Sequence, residues 1–81
     1  MGMLRVLSHH GDDRVMWDAA GVATGEDEAL AAVQEAERIF QQQRERGAVA
    51  IKVEANQPPT RIERFDPEAE QIVLIPRVVG G

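Results

Sequence analysis

Ile72-Val73-Leu74-Ile75 is an unbroken apolar run, and a proline follows it at once. A run this short and this rich in β-branched residues predicts a strand buried on both faces, which belongs in the interior of a sheet. Pro76 has no N–H to give to a ladder, so pairing is expected to fail there. Beyond it stand only Arg77, Val78, Val79, Gly80 and Gly81. The sequence therefore predicts a central strand over its last stretch and a short tail leaving the sheet. The rest of the chain must supply neighbours for that strand and a layer to cover it.

The N-terminal segment supplies the first neighbours. Met3 to Ser8 alternates, with Leu4, Val6 and Ser8 on one face and Met3, Arg5 and Leu7 on the other, which predicts a strand. Met1-Gly2 ahead of it reads as a cloning remnant, with Met3 the natural start. His9-His10-Gly11-Asp12-Asp13 is polar and holds a glycine, as a turn does. Arg14 to Asp18 alternates again, with Val15 and Trp17 inward and Arg14 and Met16 outward. Two strands around a short glycine-containing connection make an antiparallel hairpin. Adjacent histidines in a turn are poorly placed to share a metal, and no third ligand is spaced to help, so His9 and His10 read as solvated residues.

Ala19 to Gly25 reads as a small-residue linker. Thr24 is a credible N-cap, with Asp27 standing three residues on in the capping-box position. Glu26, Asp27 and Glu28 put negative charge at the positive end of a helix dipole, and Arg44 and Arg46 put positive charge at the other end. Gly47 supplies a left-handed stop. These signals predict one helix from Gly25 to Arg46, about 30 Å long, with an apolar stripe of Leu30, Val33, Ala36 and Phe40 that packs on the core. Ala48 to Glu54 alternates, and Val49, Ile51 and Val53 are expected to point inward. Asn56 to Thr60, with Pro58-Pro59, is a stiff loop. Arg61 to Phe65 is a short charged strand suited to an edge. Asp66-Pro67-Glu68-Ala69 reads as a helical turn with Asp66 as its cap.

Eighty-one residues are expected to form a single domain over 1–77 with a flexible tail over 78–81. The absence of cysteine excludes disulfides and thiolate metal sites and fits a cytoplasmic protein. A net charge of −5 argues against non-specific nucleic-acid binding. No apolar stretch approaches the ~20 residues of a membrane span. The element order is ββαββ, an α+β chain. Pairing the first and last strands in parallel, in a mixed sheet with one long helix packed on one face, gives the β-grasp (ubiquitin-like) arrangement. A ferredoxin-like sandwich would need a second full helix where the sequence offers only the turn at Pro67.

From Val49 onward the chain resembles the ubiquitin-like sulfur carriers of the molybdopterin synthase small subunit and ThiS type. The matching residues are Val49-Ala-Ile-Lys-Val-Glu-Ala-Asn-Gln57, Glu68-Ala-Glu-Gln71 and Ile72-Val-Leu-Ile-Pro-Arg-Val-Val-Gly-Gly81. The likeness covers the last third of the chain; earlier residues match only in element order. Arg77 stands where the molybdopterin members usually carry a second proline, the helix is longer than theirs, and the first hairpin is tighter.

The resemblance implies a sulfur carrier or protein modifier, not an enzyme, whose terminal Gly81 is adenylated and then thiocarboxylated or conjugated. Gly80 lets the tail enter a narrow channel, because glycine has no Cβ to clash there. Pro76, Arg77, Val78 and Val79 would contact the activating enzyme. No cofactor or metal is expected on the chain itself; ATP is used by its partner, an adenylating (E1-like) enzyme. Further partners would be a sulfur-accepting synthase subunit or the lysines of target proteins. The carrier is expected to be a monomer with no nucleic-acid or membrane partner. The alternative is a ubiquitin-fold protein-interaction module with no terminal chemistry. The surface for the activating enzyme is expected on the sheet face away from the helix, where Met3, Arg5, Leu7 and Met16 form a candidate docking patch; the alternative is that a loop covers them.

Overall fold

The computed structural model describes residues 1–8 and 11–77. It has strands β1 (Gly2–Ser8) and β2 (Gly11–Trp17), helices α1 (Ala19–Ala23) and α2 (Asp27–Glu45), and strands β3 (Val49–Val53), β4 (Thr60–Ile62) and β5 (Gln71–Ile75). The strands form one mixed sheet in the order β2-β1-β5-β3-β4. β5 lies at its centre, parallel to β1 and antiparallel to β3. This is a small α+β structure with one main helix, compatible with a β-grasp.

The core lies between α2 and one face of the sheet. Residues directly opposite each other on neighbouring strands share a face, so the register assigns that face. Leu4 stands opposite Val15 on β2 and Ile72 on β5, and Leu74 stands opposite Ala50 on β3. Leu4, Ala50, Ile72 and Leu74 are fully buried, as are Ala36 and Phe40 from α2. Trp17 closes one end of this core. Its ring lies 5.4 Å from that of Phe65, and its indole N–H donates to the Pro67 carbonyl at 2.8 Å. Phe65 also meets Phe40 edge to face at 5.8 Å. The segment between β4 and β5 is thereby drawn onto the helix side of the sheet. Asp66 Oδ1 accepts from the Glu68 N–H and its carbonyl from the Ala69 N–H, so the expected turn forms, as a turn and not a helix.

Several expectations are corrected. Ala19–Ala23 is a helix, not a linker: Asp18 caps it by accepting from the Ala20 N–H at 3.0 Å. Its small residues let it approach α2, and a Cβ on Gly21 would stand 2.9 Å from that of Ala29. Thr24 closes α1 instead of opening α2, donating its hydroxyl to the Ala20 and Gly21 carbonyls. α2 therefore starts at Asp27 after Glu26, which makes no side-chain cap. β2 begins at Gly11, so Asp12 and Asp13 belong to a strand rather than to the turn. β1 begins at Gly2, which sits directly beneath the Trp17 indole. β4 spans Thr60–Ile62 and stops before Phe65, which leaves the sheet to join the core.

Two further corrections concern burial. Leu30 is 36% exposed and rims the core instead of filling it. On β3 the residues on the helix side are Ala50, fully buried, and the part-buried Lys52, while Val49, Ile51 and Val53 point to the opposite side. β5 is likewise buried on one face only: Ile72 and Leu74 are sealed, Val73 is half-buried and Ile75 is 43% exposed.

Candidate functional site

Among the described residues two features stand outside the core: the exit of the chain from β5 at Pro76 and the sheet face that bears no helix. The exit follows from the ladder. β5 makes its last pair between Ile75 and Val49, and Pro76, without an N–H, ends the pairing as expected. Pro76 and Arg77 are exposed and in no regular element. Arg77 lies across the turn that ends α2, with its Cδ 3.1 Å from where a Cβ on Gly47 would stand. Gly47 has φ +92°, the left-handed conformation that closes a helix, so glycine is required there on two counts. Arg44 secures the same turn by donating to the Ala48 carbonyl at 3.0 Å. The expected activation residues Gly80 and Gly81, and the tail residues Val78 and Val79, lie outside the described residues, as do His9 and His10.

The open face collects every strand residue that points away from α2. Met3 stands opposite Met16 and Gln71, and Gln71 opposite Val53; Arg5 stands opposite Arg14 and Val73, and Val73 opposite Ile51. The four residues expected on this face, Met3, Arg5, Leu7 and Met16, are all placed there. Val49, Ile51, Val53, Val73 and Ile75 join them, and sequence reasoning had assigned these to the core. None of these nine belongs to the buried core cluster, which draws its covering residues from α1, α2 and the segment holding Phe65 and Ala69. Met16 is 53% exposed and Ile75 43%. The signal was present in the sequence: β5 is apolar without interruption because both its faces are apolar, though only one is covered.

The polar part of this face is a cross-strand ion cluster. Arg5 donates to Asp12 Oδ2 through Nη2 at 2.6 Å and Nε at 3.1 Å, and Arg14 reaches the same oxygen through Nε at 3.2 Å. The hydrogen bond from Arg5 holds the Asp12 carboxyl below the ordinary aspartate range, against the opposing effect of desolvation, and Arg14 adds to it. Asp12 in turn raises the Arg5 guanidinium. Arg5 and Arg14 face each other directly across β1 and β2, a destabilising placement for like charges that the shared aspartate relieves. Asp12 Oδ1 is buried and has no hydrogen-bond partner among the described residues.

At one end of this face an open cleft of about 460 Å³ is lined by Met1, Val53, Glu54, Ala55, Glu70 and Gln71. Its two carboxylates are engaged structurally: Glu54 pairs with Lys52 at 3.4 Å, and Glu70 accepts from the Ala55 N–H at 3.2 Å. Among the described residues no three His, Asp or Glu side chains converge on a metal-sized point. No helix among them is long and apolar enough to cross a membrane. Comparison with protein-family models, with curated proteins and with solved structures finds no match.

Proposed function

We propose that the chain is a ubiquitin-like carrier of the β-grasp type, cytoplasmic, whose C-terminal Gly81 is activated by an ATP-dependent adenylating enzyme and then thiocarboxylated or conjugated. The observation that carries this reading is the placement of β5. An apolar strand parallel to β1 occupies the centre of the sheet and its pairing ends before Pro76; in the sequence Gly80-Gly81 follow within six residues of Ile75. A carboxylate is a poor acyl donor, so activation is the first requirement. A Gly81 carboxylate oxygen attacks the α-phosphorus of ATP; the bond to pyrophosphate breaks and an acyl-adenylate forms. A sulfur nucleophile then attacks the carbonyl carbon, and AMP departs with the bonding electrons of the C–O bond. The chain contributes the carboxylate and the enzyme the machinery, so the chain acts as substrate and carrier, not as catalyst. The open sheet face supports the second reading, a ubiquitin-fold interaction module that uses this surface and has no terminal chemistry.

The test is incubation with ATP and an adenylating enzyme encoded beside the gene, followed by mass spectrometry of the intact chain. The expected first product is the adenylate. Adding a sulfur donor should then raise the mass by ~16 Da, as sulfur replaces oxygen at an activated acyl group. Deleting Gly81 withdraws the carboxylate by ~3.5 Å, which is outside a near-attack geometry, and should abolish both products with no change in stability. Gly80→Val should act similarly by steric exclusion. Unchanged activation of the truncated chain would refute the carrier reading and leave the interaction module in its place.

A further inference from the structure

The open face is patterned in charge as well as in apolarity. Its middle cross-strand row runs Arg14, Arg5, Val73, Ile51, Arg61, one residue from each of the five strands. With neighbouring strands about 4.8 Å apart, its two ends stand roughly 19 Å from each other. Three arginines against the single Asp12 leave the paired positions of this face at plus two. The whole chain is at −5, so the remainder holds minus seven. The ladder positions of this face are therefore basic in a chain whose remaining residues are acidic overall, with Glu54 and Glu70 lining the cleft at one end of the face.

We propose that this face docks a protein partner whose contact patch is apolar in the middle and bears carboxylates at both ends, one meeting Arg61 and the other the Arg5–Arg14 pair. The inference is independent of the tail chemistry, since a carrier and an interaction module would both use such a surface. The charge pattern selects this occupant over others. A second copy of the chain would set one arginine row against another. A membrane or nucleic acid is an extended anionic surface and would also meet Glu54 and Glu70 at the end of the face and the acidic remainder of the chain. Discrete carboxylates meet the arginines alone, and the planar guanidinium matches them with paired donors. Stapling of the β1–β2 hairpin accounts for Arg5, Asp12 and Arg14. It does not account for Arg61, which makes no ion pair or side-chain hydrogen bond among the described residues, nor for the exposed Met16 and Ile75.

The test uses the intact chain and a synthetic helical peptide with a leucine stripe and glutamates about 13 residues apart, which at ~1.5 Å per residue spans the row. Its counterpart carries lysines in place of the glutamates. Titration followed by amide NMR should give saturable shifts on all five strands, β4 with Arg61 included, with the glutamate peptide and none with the lysine peptide. Arg61→Glu and Met16→Glu should each weaken binding about three- to tenfold, while Arg46→Glu at the end of α2 should leave it unchanged. The variants' own spectra report whether the fold persists. Absence of binding, equal binding of the lysine peptide, shifts confined to α2, or an Arg61→Glu variant that binds as well as the parent would each overturn the proposal. Binding to phosphatidylserine vesicles in preference to the peptide would overturn it in favour of a lipid surface.

Discussion

Gly2 and Asp12 show how much a single side chain, or its absence, decides in this chain. Gly2 stands opposite Trp17 in the hairpin register, and a Cβ built on it would lie 2.1 Å from the indole Cε2. Trp17 cannot retreat, because it is 2% exposed and held by Phe65 and the Pro67 carbonyl. Alanine in a strand normally gains on glycine by roughly 0.5–1 kcal/mol, but overpacking here is worth more. Gly2→Ala should cost about 1–3 kcal/mol, measured by urea unfolding with Trp17, the single tryptophan, as the fluorophore.

Asp12 predicts a pH effect whose sign follows from its lowered pKa. Folding favours the ionised carboxylate, so its contribution is fully present above the ordinary aspartate value and is lost as pH falls through the lower folded one. The stability gap between the parent and Asp12→Asn should be widest near neutral pH and close as the pH drops below about 3.8, the ordinary value. Acid titrations of the two proteins, followed by unfolding, check it. A gap that stays constant down to pH 2 would show that the ion cluster does not couple to folding.

At the scale of elements, the sequence was legible wherever one signal had one use. The apolar run with its proline placed β5, Gly47 ended α2, and alternation located β1 and much of β2. Legibility failed where a signal served two purposes. Thr24 has the chemistry of an N-cap, but the same hydroxyl serves the last turn of α1. Ala19 to Ala23 is small because it packs closely on α2, and small residues also mark linkers. On β3 the three large apolar residues favoured the wrong face: the core takes Ala50, while Lys52 on the same side reaches Asp66 and Glu54. The open face was half visible for the same reason, since its β3 and β5 residues passed for core.

The helix stripe gives a prediction at this scale. Phe40 is fully buried and meets Phe65, whereas Leu30 is 36% exposed. Phe40→Ala should cost about 3–5 kcal/mol and Leu30→Ala clearly less than the 2–5 kcal/mol of a buried leucine. Denaturant midpoints of the two variants against the parent decide it, and equal losses would place Leu30 in the core after all.

For the whole molecule, the decisive feature is that the centre of the sheet is supplied by residues 71–75. Without β5 the β1–β2 hairpin and the β3–β4 pair have no common neighbour, and Phe40 loses Ile72 and Leu74 from the shared core. A chain cut after Glu70 should therefore lose cooperative unfolding altogether, as seen by calorimetry and by collapse of amide dispersion. Removal of Gly81 alone should leave both intact. The same architecture orders events on the ribosome. The hairpin and both helices are synthesised first and must wait, because the strand that joins them is still in the exit tunnel or not yet translated. A nascent chain that terminates early is left unassembled and open to proteolysis. Folding thus acts as a proofreading step on synthesis: a molecule that has reached its native state has been translated through its central strand, Gln71–Ile75.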